Sequence, residues 1–164
     1  MKASQLWCAV RCDPSLQSRV IGVFAKDTLP TLTPSLRAKG VGLIVNTENS
    51  TREGRHWIAM YVRRNEAVLF DSLAEPVHDV FDRYLKSYAR SYQRNIQPLQ
   101  SADSSECGFY CLYFLLRTFR DHLTLNQIVH LFDKRDLLWN DVFVANYICH
   151  YFKYCTDSCR LCIV

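Results

Sequence analysis

The spacing of hydrophobic positions changes several times along this chain, and each change marks an element of secondary structure. Short apolar runs between polar turns indicate strands, whereas apolar residues three and four positions apart indicate helices. The predicted strands are residues 41–45, 56–62, 67–70 and 95–99, and the predicted helices are residues 4–12, 76–90, 107–120, 124–132 and 140–153. Residues 15–40 contain scattered glycines and prolines, so we expect loop there with short pieces of structure.

The order of these elements determines the fold class that we expect. A helix, three strands, a helix, a further strand and then helices are typical of an α+β fold with a small central β-sheet packed against helices. No linker, repeat or low-complexity segment divides residues 1–164, which predicts a single domain. A chain of 164 residues with 49% hydrophobic content can bury the core of such a domain.

An almost unbroken apolar run begins immediately after a polar loop. The loop, residues 100–106, ends at Cys107, and no glycine or proline follows Gly108 within the run. A run of this length and aromatic content predicts a buried central helix. Cys107 then lies in the first turn, where unpaired backbone N–H groups and the positive end of the helix dipole favour a thiolate over a thiol. We therefore expect Cys107 to be a good nucleophile if a base lies nearby.

A predicted hairpin upstream supplies a base. If its turn centres on Arg64 and Asn65, residues whose numbers sum to about 129 face each other across the two strands. Asp71 is then opposite Ile58 and diagonal to His56, at a backbone separation of roughly 7–8 Å that two side chains can bridge. A carboxylate beside an imidazole fixes its tautomer and stabilises the imidazolium, so that the ring can deprotonate a thiol.

The sequence therefore predicts a Cys–His–Asp triad made of Cys107, His56 and Asp71. Gln100, an amide shortly before the nucleophile, is the candidate donor to a developing oxyanion, together with the backbone N–H of Cys107. Each residue also has a structural interpretation: a buried core cysteine, a sheet histidine, a turn aspartate and a loop amide. We apply the structural interpretation to Cys111, one helical turn further into the apolar run.

Four ordered motifs carry a resemblance to a known family. They are Ile-Val-Asn-Thr at 44–47, Gly-Arg-His-Trp-Ile-Ala at 54–59, Leu-Phe-Asp at 69–71 and Gln-x6-Cys-Gly at 100–108. Together they resemble adenain, the adenovirus-type cysteine protease, within the wider group of SUMO- and ubiquitin-like-protein proteases. The step from Gln100 to Cys107 matches adenain and is one residue longer than in the SUMO proteases. The resemblance covers about residues 20–120.

This resemblance implies a role for each motif residue. His56 would be the base, Asp71 its partner, Cys107 the nucleophile and Gln100 the oxyanion donor. The enzyme would be a thiol endopeptidase that cleaves viral capsid or core precursors at small-residue, Gly-Gly-like sites during particle maturation. The chemistry would require no cofactor, although adenovirus enzymes are stimulated by DNA and by a peptide that can be disulfide-bonded to the protease. Residues 91–96, where the linking cysteine would lie, contain none, so we do not expect covalent activation.

Two alternative functions remain open at this stage. The first is a deubiquitinase or SUMO-type isopeptidase of host or bacterial origin, against which the spacing of Gln100 and Cys107 counts. The second is a catalytically idle DNA- or capsid-binding module that kept the fold, against which the complete set of four residues counts. Activity on a ubiquitin-like fusion and reaction with a thiol-directed peptide electrophile separate these possibilities.

Charge adds little to this interpretation. The net charge of +4 permits an anionic partner without requiring one. Arg52, Arg55, Arg63 and Arg64 are expected to cluster around the site, either as a solvated face or as contacts to DNA phosphates. We expect a monomer.

The eight cysteines favour reduced thiols in an intracellular protein, located in the host nucleus and virion if the protein is viral. The apolar segment before Arg11 is too short for a signal peptide, and no run approaches the length of a membrane span. A zinc site is conceivable near the C-terminus, but the Cys-x3-Cys-x2-Cys spacing is not that of a standard finger, so no metal site is predicted. Its candidate ligands are Cys149, His150, Cys155, Cys159 and Cys162.

Overall fold

The computed structural model describes residues 1–52 and 54–153. The strands are β1 (Val20–Ala25), β2 (Val41–Asn46), β3 (Trp57–Arg63), β4 (Glu66–Phe70) and β5 (Gln93–Arg94). The helices are α1 (Ala3–Cys12), α2 (Pro14–Gln17), α3 (Pro34–Lys39), α4 (Asp79–Lys86), α5 (Cys107–Phe119), α6 (Leu125–Val129) and α7 (Leu137–Tyr151). The strands form one sheet in the order β1-β2-β3-β4-β5, antiparallel in the middle and parallel at both edges. The α+β prediction is confirmed.

Helices cover both faces of this sheet. Because successive strand residues point to opposite faces, each strand contributes to two cores. Ile44, Ala59 and Phe70 belong to the core that α5 fills, and the Phe70 ring stacks on Phe114 of α5 at a centroid distance of 4.6 Å. The opposite core, which includes Met60, contains the apolar side of α4.

Helix α5 is the centre of the larger core. Every residue from 107 to 116 is buried, as the apolar run predicts. Its first turn lies against the N-terminal segment. A Cβ atom on Gly108 would come within 2.8 Å of the Met1 sulfur and 3.2 Å of Leu6 Cδ2, so a larger residue at position 108 would require these two side chains to shift.

Several predicted boundaries differ from the structure. Strand β1 lies in the segment expected to be mostly loop. It pairs with β2 on both sides of Gly22, with a shift of register between Val20 and Val23. The predicted strand at 95–99 is wrong: the strand nearest to it is the two-residue β5, which ends at Arg94 and pairs with Val68 and Leu69. Helix α4 begins at Asp79 rather than at residue 76, because the backbone after β4 first turns around a carboxylate.

The prediction of reduced thiols is wrong for three cysteines. Cys8, Cys12 and Cys149 are disulfide-bonded, whereas Cys107 and Cys111 are free. The chain order gave no indication that the N-terminal helix and the end of α7 come together, as the hydrogen bond from Tyr151 to the Asp13 carboxylate shows that they do. Within residues 1–52 and 54–153, no helix combines the length and the apolar character that crossing a membrane would need.

Candidate active site

The β3–β4 hairpin holds His56 and Asp71 together. The observed pairs Ala59–Phe70 and Arg63–Glu66 have the register that the sequence predicts. His56 lies immediately before β3, where its carbonyl accepts a hydrogen bond of 2.9 Å from the Thr47 backbone N–H. Asp71 follows β4 directly, and its Oδ1 lies 2.6 Å from His56 Nε2.

The Asp71 carboxylate accepts three hydrogen bonds. Besides His56, the backbone N–H of Leu73 donates to Oδ1 at 2.9 Å and that of Glu75 donates to Oδ2 at 2.9 Å. An ionised carboxylate can only accept, so His56 Nε2 must carry a proton and donate it. Both side chains are buried, each residue being only 4% exposed. Asp71 thus fixes the position and the tautomer of the imidazole ring.

Cys107 is the other partner of His56. It is the first residue of α5, is 7% exposed, and lies close enough to the imidazole to help raise the pKa of that ring. Because Asp71 occupies Nε2, the nitrogen left for Cys107 is Nδ1. Burial alone would lower the pKa of His56, but the hydrogen bonds to Asp71 and Cys107 and their negative charges outweigh it and raise this pKa from 6.5 to about 9. The ring is therefore an imidazolium at neutral pH.

Gln100 is buried beside the same turn, with 1% exposure. Its Oε1 accepts a 2.6 Å hydrogen bond from the hydroxyl of Ser72, the residue after Asp71. Its Nε2 donates at 2.8 Å to the carbonyl of Ser104, in the loop that leads to Cys107. One of the two N–H donors of this amide is thereby used.

A groove of about 310 Å³ borders the start of β3, immediately after His56. Trp57, the next residue, forms part of its wall, and the indole N–H donates to the Met1 carbonyl at 3.1 Å. Val23 and Phe24 contribute apolar surface, and Asn46 contributes polar surface. None of the four predicted site residues lines this groove, which approaches the site only through Trp57.

Cys111 lies one helical turn beyond Cys107 and is 1% exposed. Burial, followed by the negative charges of Cys107 and Asp71, raises its pKa well above the ordinary value. A thiol in this position stays protonated and behaves as a small apolar side chain. The geometry agrees with the structural interpretation of this residue.

The predicted arginine cluster is wrong for two of its four members. Arg52 and Arg55 belong to the loop before His56. The Arg52 Nη1 atom lies 3.6 Å from Glu48 Oε2. Arg63 and Arg64 lie at the opposite end of the seven-residue strand β3, about 20 Å away at the usual rise of a strand. The sequence places these residues near one another along the chain, but an extended strand separates them.

Three of the five cysteine and histidine residues considered as zinc ligands, Cys155, Cys159 and Cys162, lie outside the described residues. Within residues 1–52 and 54–153, no group of three or more histidine, cysteine or acidic side chains is arranged to hold a metal ion.

Sequence reasoning overlooked two buried polar residues, Ser72 and Asn95, which contact the predicted site residues. A strand that ends in consecutive polar residues, Asp71 and Ser72, was an available signal for the first. No local signal identifies Asn95, because its partner lies 24 residues away.

Comparison with known proteins establishes the fold. No protein-family model matches the sequence, and no curated protein matches it. The structure is similar to ChlaDub1 from Chlamydia trachomatis, with a TM-score of 0.50 and 16% identity over 94% of this chain and 79% of that chain. This likeness shows that the chain has the α+β fold of ChlaDub1.

Two further structures are similar over smaller parts. The ASFV pS273R protease gives a TM-score of 0.49 and 12% identity over 76% of this chain and 59% of that chain. The SUMO protease Ulp1, with its catalytic cysteine oxidized to a sulfinic acid, gives a TM-score of 0.41 and 16% identity over 79% of this chain and 57% of that chain. In a selenomethionine structure of the ASFV protease the match spans 42% of that chain. This chain thus spans roughly half the length of these proteins, and none of them is an adenain.

Proposed function

We propose that this protein is a cysteine protease in which Cys107 is the nucleophile, His56 the base and acid, Asp71 its partner and Gln100 the oxyanion donor. The observation that carries this proposal is the buried imidazole held between a carboxylate and a free thiol at the start of a helix. The raised pKa of His56 places a positive charge beside Cys107 at neutral pH, and such a charge attracts a thiolate.

The geometry supports the two half-reactions of acyl transfer. The Cys107 thiolate attacks the substrate carbonyl carbon, and the oxyanion that forms receives hydrogen bonds from Gln100 Nε2 and from the Cys107 backbone N–H. The oxyanion collapses as the carbon–nitrogen bond breaks, and the His56 imidazolium gives its Nδ1 proton to the leaving amine. Neutral His56 then takes a proton from water, which attacks the thioester and releases the carboxylate product and the thiolate.

For the substrate, the proposal follows the motif resemblance. The spacing from Gln100 to Cys107 favours cleavage of viral capsid or core precursors at Gly-Gly-like sites, in the host nucleus and the virion. DNA and a non-covalent activating peptide are proposed activators on the same grounds. The groove beside Trp57 is the proposed position of the residues that precede the cleaved bond.

Processing of ubiquitin-like modifiers is the second candidate. The observation that favours it is the likeness to ChlaDub1, which extends over 94% of this chain. Both candidates use the same four residues, so they differ in the substrate and not in the chemistry.

The test uses the full chain and a Gly-Gly peptide that carries a thiol-directed electrophile. We expect stoichiometric labelling of wild type and of Cys111→Ala, and none of Cys107→Ala, as read by intact mass. Turnover of a Gly-Gly precursor peptide is then compared with turnover of a ubiquitin-like fusion to separate the two candidates. If Cys107→Ala is labelled as fast as wild type, or neither substrate is cleaved, the proposal is wrong.

A further inference from the structure

Two buried polar side chains outside the four proposed catalytic residues contact that set directly. Ser72 is 1% exposed and Asn95 is 5% exposed. We propose that both are positioning residues: Ser72 orients the amide of Gln100, and Asn95 holds the backbone of Asp71. This inference rests on the proposed protease function and extends it to the residues that support the site.

The Asn95 side chain binds the backbone of Asp71 just beyond the end of strand pairing. The pairing of β4 with β5 reaches only Leu69 and Arg94. Beyond it, Asn95 Oδ1 accepts from the Asp71 N–H at 3.0 Å, and Nδ2 donates to the Asp71 carbonyl at 2.6 Å. The side chain thus reproduces both hydrogen bonds that a neighbouring strand would supply. It anchors the backbone from which the Asp71 carboxylate reaches His56.

The orientation of the Gln100 amide follows from its two neighbours. The Ser104 carbonyl can only accept, so Nε2 must face it and Oε1 must face Ser72. The Ser72 hydroxyl therefore donates. The Ser72 carbonyl also accepts from the backbone N–H groups of Leu99 and Gln100, at 2.8 and 3.1 Å. Ser72 thus fixes both the backbone of Gln100 and the direction of its side chain.

Ser72 connects the two halves of the site. It follows Asp71 in the chain and binds Gln100 in space, so the turn after β4 supports both the carboxylate and the amide. A displacement of about 1 Å in either group is enough to lower turnover by roughly a hundredfold. Positioning by Ser72 and Asn95 therefore affects turnover although neither residue reaches the reacting atoms.

A double-mutant cycle tests the role of Ser72. We expect Ser72→Ala to lower kcat about 10- to 100-fold with KM little changed, and to have less than a roughly twofold effect on kcat in the Gln100→Ala background. A residue that acts only through stability would lower kcat by the same factor in both backgrounds, and that outcome overturns the proposal. Ser72→Cys, which keeps the volume but donates weakly, replaces Ser72→Ala in the cycle if the alanine variant does not fold.

The pH profile tests the role of Asn95. Loss of the anchor weakens the contact between Asp71 and His56, so Asn95→Ala should move the alkaline limb of kcat from about pH 9 towards lower pH. Asn140→Ala is the matched control, because Asn140 is buried too and makes three side-chain hydrogen bonds, as Asn95 does with its further bond to the Gln97 carbonyl. We expect Asn140→Ala to lower the melting temperature and to leave the alkaline limb of kcat at the same pH as in wild type. Asn95→Asp, which retains the volume and the acceptor but loses the donor, substitutes for Asn95→Ala if that variant does not fold.

The outcomes distinguish this inference from the proposed function. An unshifted limb in both Asn95 variants, or equal losses in the Ser72 cycle, in an active enzyme overturns the inference alone. An inactive wild-type protein overturns the proposed function, and the inference with it.

Discussion

The first and second turns of α5 each carry a buried, free cysteine, yet they provide opposite environments. Cys107 lies at the helix start beside the His56 imidazolium. Cys111 lies among apolar side chains, and burial is the first cause that raises its pKa. The two exposed fractions, 7% and 1%, differ little. The comparison teaches that two thiols with similar exposed fractions can have different neighbours: Cys107 lies beside an imidazole at a helix start, whereas Cys111 is enclosed by the core.

The largest expected effect is the removal of each thiol in turn. Cys107→Ala should lower kcat/KM by at least about four powers of ten, because no other group can form the thioester. Cys111→Ala should keep activity within a few-fold and cost roughly 1 kcal/mol of unfolding free energy, since one small buried atom is lost. Peptide turnover and thermal unfolding of both variants measure these effects. Comparable losses of activity would remove the distinction between the two turns.

Neutralising the histidine's partner is expected to have the next largest effect. Asp71→Asn keeps the shape but removes the charge that orients His56 and stabilises its imidazolium, so kcat should fall by about four powers of ten. Asp71→Glu should retain part of the activity, because the family resemblance allows either acid. Asp79→Asn is the control, since Asp79 is exposed on α4. Loss confined to the Asp79 variant would mean that another carboxylate serves His56.

Removal of the amide should have a smaller effect. Gln100→Ala should lower kcat by about two to three powers of ten, the usual cost of one oxyanion donor. Because Gln100 is buried and hydrogen-bonded at both ends, we also expect a loss of about 1–3 kcal/mol in stability, which a simple loop amide would not show. Gln97→Ala, at an exposed position in the same segment, is the control. A variant that turns over within a few-fold of wild type would place the oxyanion donor elsewhere.

Selective alkylation tests the comparison without substitution. At neutral pH, iodoacetamide should modify Cys107 at least about tenfold faster than Cys111, which should react only after unfolding because its raised pKa keeps it protonated. Peptide mapping over a time course gives both rates. Modification of Cys111 before Cys107 in the folded protein would reverse the assignment of the two turns.

The smallest expected effect is on stability as a function of pH. The pKa of folded His56, about 9, exceeds its ordinary value of 6.5, so folding binds a proton more tightly. The resulting stabilisation is complete below about pH 6.5 and is lost as the pH rises through 9. Melting temperatures should therefore fall more steeply between pH 6.5 and 9.5 for wild type than for Asp71→Asn. Parallel curves would indicate that Asp71 does not raise the pKa.

Local pattern was enough to predict the hairpin and α5. The register that places His56 near Asp71 depends only on a two-residue turn and on the alternation of side chains along each strand. Both can be read from neighbouring residues in the sequence. The buried helix after Cys107 follows from one continuous apolar run. For the same reason the four proposed site residues could be selected from the chain alone, although their roles stay a proposal.

Contacts between distant segments were decided only by the tertiary structure. Strand β1 is paired by a parallel neighbour beyond a crossover, Asn95 anchors Asp71 across 24 residues, and Tyr151 at the end of α7 donates to the Asp13 carboxylate. The periodicity of hydrophobic residues does not indicate such contacts, because they form only when the packing of helices on the sheet brings the segments together. The sequence thus determined which residues carry the chemistry we propose, and the packing determined which residues hold them in place.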